Sequence, residues 1–141
     1  MAQRPQTTQG TLVFLRILHV TLLVSIALYL DVIRTMPAKP AALLDNDFFF
    51  SLGTVAMAIL GYAQAIRLRR LRPTLETLRM KPDDAQSLAQ WRYIVILCDC
   101  LAESVALFGI AIHFLGGTYW QVVPFFIVGG GAMLAWWPTG P

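Results

Sequence analysis

Four apolar blocks, at residues 12–33, 48–66, 93–115 and 122–137, alternate with polar connections along the chain. A helix rises about 1.5 Å per residue and the hydrocarbon core of a bilayer is about 30 Å thick, so about 20 apolar residues span it. The fourth block is the shortest, and must either stand upright or be extended by its flanking aromatics. The pattern predicts an all-α membrane protein: one transmembrane domain, residues 1–141, folded as a four-transmembrane-helix bundle. The helices are expected at about 12–33, 48–72, 84–115 and 120–137. The first block is too long for the apolar core of a typical signal peptide and has no small-residue cleavage site after it, so it is expected to be retained.

Between the second and third blocks the pattern changes to amphipathic. Leu68, Leu71, Leu75 and Leu78 recur at helical spacing, so the second helix is expected to continue out of the membrane, with Pro73 kinking or restarting it. Lys81, Pro82, Asp83 and Asp84 read as a turn, with Asp83 or Asp84 capping the third helix. Pro37, Pro40 and the Asp45-Asn46-Asp47 triplet read as a turn and the cap of the second helix.

Composition and charge agree with that reading. Hydrophobic residues make up 57% of the chain and charged residues 13%, against about 25% charged in a soluble domain. Seven of the 11 Lys and Arg residues (Arg67, Arg69, Arg70, Arg72, Arg79, Lys81 and Arg92) fall in the connection at about 67–92. The positive-inside rule makes this connection cytoplasmic. Both termini are then cytoplasmic too, and residues 34–47 and 116–121 face the other side. The expected location is the inner (cytoplasmic) membrane of a bacterium. Juxtamembrane basic residues follow from topology, so they do not argue for nucleic acid; lipid bilayer is the expected surrounding. Tyr119 and Trp120 at one end of the fourth block, and Trp136 and Trp137 at the other, look like interfacial anchors.

Candidate chemistry lies inside the third block. Asp99, Glu103, Ala106, Ile110 and His113 share a sector of about 80° on a helix. A charge at that depth costs at least about 2.5 kcal/mol, so it is neutralised, paired or turned towards protein. Two acids one turn apart repel when both ionise, so at least one is expected to be protonated or paired. They read either as a reversible proton or cation site, or as interhelical hydrogen bonds or a salt bridge to Arg16, whose depth makes Asp99 the better placed of the two acids. His19 and His113 are the candidate haem or pigment ligands. They lie in opposite halves of the membrane, too far apart for one haem. Cys98 and Cys100, two residues apart, point to different faces, which argues against a disulfide or metal pair.

Small residues mark expected packing surfaces: Gly53 and Gly61 in the second helix, and Gly129, Gly130 and Gly131 in the fourth. The chain has no Gly-rich phosphate loop, no metal-binding spacing of His and Cys, and no serine or cysteine triad. These absences point away from an enzyme.

Residues 52–115 resemble the proteolipid c subunit of rotary F-type ATP synthases. The likeness is carried by a small-residue-rich helix, a loop with Leu75-Glu76 followed by Met80-Lys81-Pro82-Asp83, and the string Leu101-Ala102-Glu103-Ser104-Val105-Ala106-Leu107-Phe108-Gly109. The first and fourth helices have no counterpart in a two-helix c subunit. The resemblance implies that Glu103, tuned by Asp99, is an ion-carrying acid in an energy-transducing membrane complex, with Lys81-Pro82 in the loop facing a partner. No cofactor is required. The alternative expectation is a non-catalytic accessory or scaffold subunit, part of a homo-oligomer or hetero-complex, contacting pigment, haem or lipid through His19, His113 and the fourth-helix glycines.

Overall fold

The computed structural model describes residues 7–36, 45–82 and 84–141. The described residues form four helices: α1 (Thr8–Thr35), α2 (Asn46–Met80), α3 (Ala85–Phe114) and α4 (Tyr119–Ala135). The first three are long and apolar enough to cross a membrane; α4, at 17 residues, is apolar but shorter. Pro37, Pro40 and Asp83, read above as turn or cap residues, lie outside the described residues.

Local chemistry sets the helix ends. Thr7 caps α1 by accepting from the Gly10 amide at 3.1 Å. Asp84 caps α3, its Oδ2 accepting from the Ser87 amide at 2.9 Å. The end of α3 leaves carbonyls without helical partners; Gly116, at φ 90°, turns the chain so that its amide reaches His113 O and the Gly117 amide reaches Ile112 O. Gln121 then reaches back to the Thr118 amide at 2.8 Å and starts α4.

Inside α2, the chain passes through a wider π turn at Arg67–Leu71 before Pro73. Proline has no amide to donate and its ring crowds the carbonyl one turn back; the wider turn lets the helix continue past it. The Thr74 hydroxyl donates to the Arg70 carbonyl, one turn back, at 2.7 Å. Beyond the π turn, Leu71, Leu75 and Leu78 pack with Leu15, Leu88, Trp91 and Val95 in a core at one end of the bundle. Leu68 stays exposed.

α3 is the axis of the molecule. It packs against each of the other helices, and α1 and α2 both also touch α4. The main core joins Ile26 and Ile33 of α1 and Ala56 of α2 to Ala102, Val105 and Ala106 of α3 and Val122, Phe125 and Phe126 of α4. Outward, the helices are apolar: Val13, Ile17, Val20, Val24 and Leu28 of α1 are all exposed. Only 22% of the most apolar stretch of α1 and 17% of that of α2 is buried. A soluble protein rarely presents so continuous an apolar surface, and lipid is the solvent that suits it. By length, composition and this outward face, the chain is a membrane protein with transmembrane helices.

The small residues are not equivalent. A Cβ on Gly129 would lie 2.7 Å from Ala102 O and 3.1 Å from Ala106 N, so α3 and α4 approach there to backbone contact. Gly109, not among the expected packing glycines, makes a second close approach, to Val122 O and the Phe126 ring. Gly53, Gly61 and Gly131 have nothing within 4 Å of a Cβ position, and Gly130 has only Ile26 at 3.8 Å. The expected packing role within the chain therefore falls to Gly129. Helical rotation of 100° per residue aims only one of three consecutive glycines at a given neighbour.

Gly129→Ala should accordingly cost about 1–3 kcal/mol through backbone overpacking, read as a lower melting temperature in detergent micelles. Gly131→Ala, into open space, should melt like the unaltered protein; equal losses in both variants would contradict the close approach. At the Asp84 cap, hydrogen bonds from the Ser87 side chain and amide hold the carboxyl below the usual carboxylate range. The cap's contribution is therefore present above the unfolded carboxylate pKa and lost as pH falls through the lowered folded value. Asp84→Ala should speed amide exchange at Ser87 and Leu88 at neutral pH while leaving the middle of α3 protected.

Candidate functional site

Three helices and the segment after α4 converge on one buried polar pair. His19 comes from the inward face of α1 and Asp99 from the inward face of α3, both fully buried. His19 Nδ1 and Asp99 Oδ2 lie 2.9 Å apart, within hydrogen-bond distance. Pairing two polar groups lowers the cost of burying each between apolar helices. Two polar atoms of the pair are left over: His19 Nε2 and Asp99 Oδ1 have no hydrogen-bond partner. Buried polar atoms are nearly always satisfied, so two orphans on one pair set it apart from the apolar core around it.

The walls come from residues of α2 and of the segment after α4. The Trp137 ring stands edge-on to the His19 ring, with centroids 5.3 Å apart. The Arg67 guanidinium lies over the Trp136 ring at 5.3 Å. Trp136 packs into the core, so it and Trp137 close the site rather than serving only as interfacial anchors. Cys98 is buried beside the pair's helix turn, its Sγ 3.6 Å from the Ala63 carbonyl, while Cys100 is exposed and both thiols are free.

Arg16 does not pair with Asp99. Its Nε donates instead to the Pro138 carbonyl at 3.4 Å, tying the segment after α4 to α1, and His19 takes the position expected of it. Residues 16 and 19 differ by 300° of helix rotation, so they sit on adjacent faces at similar depth, and depth could not choose between them. A neutral imidazole is also far less costly to bury than a guanidinium.

Glu103, one turn beyond Asp99, has different company. Its Oε1 accepts from the Tyr29 hydroxyl at 3.5 Å, the outer limit of a hydrogen bond, and its side chain is only partly buried. The two acids are therefore served by two different residues of α1. His113 is buried near the far end of α3, its ring 6.1 Å from that of Phe114. Fourteen residues of α3 separate it from Asp99, about 21 Å of helix. The two histidines thus stay apart, and His19 already commits one nitrogen to Asp99. Among the described residues no three His, Cys, Asp or Glu side chains gather as a metal would require.

What the fold and site define is an all-helical membrane protein with a closed histidine–carboxylate pair and a second, more open acid one turn away. Compared with protein-family models, curated proteins and solved structures, the chain matches none.

Removing one partner of the pair should be costly. Asp99→Ala should lose about 1–3 kcal/mol against unfolding in detergent micelles, because His19 is left buried without its hydrogen-bond partner. The double variant H19L/D99L should recover most of that loss. A single variant as stable as the double would show that the pair does not act as a unit.

Proposed function

We propose that the chain is a four-helix transmembrane protein, both termini on the cytoplasmic side of a bacterial inner membrane, that binds and releases a proton at a membrane-embedded carboxylate within a larger energy-transducing complex. The division between the two acids is the observation that carries this reading. Asp99 is enclosed and held by His19, a setting that favours a fixed charge state. Glu103 is partly open and weakly held by Tyr29, and an exchanging acid needs that access.

Topology supports the reading. Thr8 hydrogen-bonds the Pro82 carbonyl, and Arg16 the Pro138 carbonyl. The start of α1 thus meets the α2–α3 turn, and the segment after α4 meets the first half of α1, towards the same end of the bundle. α4 completes a four-span bundle when its 17 residues stand upright, about 25 Å, between Tyr119 and Trp120 at one boundary and Trp136 and Trp137 at the other. The resemblance to the c subunit assigns Glu103 the same part. The open faces around Gly53 and Gly61 offer room for the helix of a neighbouring subunit. In the accessory-subunit alternative the same open faces bind partners, and Glu103 has no proton to exchange.

A hydrophobic carbodiimide, which attacks protonated carboxyl groups, separates these cases. In native membranes it should modify Glu103 in preference to Asp99, with labelling by mass spectrometry falling as pH rises and absent in Glu103→Gln. Labelling that is missing at Glu103, or indifferent to pH, would remove the proton-exchange role and leave the accessory reading.

A further inference from the structure

Away from the buried pair, α2 and α3 leave a recess of about 240 Å³ between them, lined in part by Arg69 and Arg70. The two helices run antiparallel, with Cys98 level with Ala63, so Arg69 and Arg70 fall level with the turn of α3 that holds Tyr93. Arg69, Arg70, Tyr62 and Tyr93 form the polar lining, all exposed, and Ile66 and Leu97 belong to the apolar wall. Among the described residues no carboxylate pairs with Arg69 or Arg70. Both lie within the π turn Arg67–Leu71, and such turns recur at functional sites because they re-aim side chains.

We propose that this recess is a binding site for an anionic phospholipid. The two guanidiniums match a phosphodiester in charge and in the geometry of paired N–H donors. The tyrosine hydroxyls suit the ester region below it, and the apolar wall leads on into the span, where an acyl chain belongs. Basic pockets between transmembrane helices at the headgroup level take such lipids. A soluble phosphate uses only the arginines and leaves the apolar wall without a counterpart; the combination favours the lipid. The site rests on the membrane placement of α2 and α3, and stands or falls independently of proton exchange at Glu103.

The test uses the full chain in phosphatidylcholine nanodiscs doped with phosphatidylglycerol, with bound lipid counted by native mass spectrometry. The unaltered protein should retain phosphatidylglycerol in preference to phosphatidylcholine. R69Q/R70Q should weaken that retention about thirtyfold, since each interfacial basic residue contributes about a fivefold effect. R79Q/K81Q removes the same charge from the far end of α2 and should retain the lipid. Circular dichroism of both variants reports that the helices are intact. Equal weakening in the two double variants would reduce the effect to general surface charge and overturn the site. Displacement of the lipid by inorganic phosphate alone would overturn the lipid assignment, as would equal retention of the two lipids.

Discussion

A carboxylate cannot stay ionised and alone between apolar helices, and that constraint fixes how α1 lies against α3. Once Asp99 is committed to the inward face of α3, α1 must bring it a partner, and His19 is the residue that arrives, at 2.9 Å. The rotation that points His19 inward also points Leu15 and Ile26 into cores on either side of it. The same rotation turns Val13, Ile17, Val20, Val24 and Leu28 outwards. One polar contact and a lipid-compatible surface are thus two results of the same helix orientation.

The other contacts of the centre are arranged so that no bare charge faces the interior. Arg67, still partly exposed, lies over the Trp136 ring. The Trp137 ring stands nearly perpendicular to that of His19. Backbone closeness at Gly129 draws α4 onto α3, and the segment after α4 then runs where these two tryptophans can cover the pair. A polar centre held this way combines two properties that oppose each other in water: a fixed geometry and a low cost of neutrality.

The helical character was legible because apolar runs and leucine spacing are local properties. The leucines at positions 71, 75 and 78 show this, since their helical repeat alone placed them on one face. The centre was legible only in half. Asp99 and Glu103 stood out as acids in an apolar run, but a sequence cannot say which of two neighbouring polar residues on another helix turns inward. Arg16 and His19 illustrate it: they are three residues apart, and the choice was made by rotation of α1 and by the higher cost of burying a guanidinium. Trp137 and Tyr29 carried no local signal beyond being amphipathic aromatics. The glycines failed for the same reason, because closeness to α3 depends on which of positions 129, 130 and 131 the helix rotation selects.

The placement of Trp137 beside His19 has a consequence for how the protein is made. Synthesis runs from α1 to α4, so His19 enters the membrane 80 residues before Asp99, and Trp137 follows only after all three long helices. Through most of that interval the imidazole has neither its acid nor its cover. A lone histidine is one of the few polar groups that can wait there uncharged. The residue facing Asp99 has to be tolerated through that interval as well as in the finished bundle.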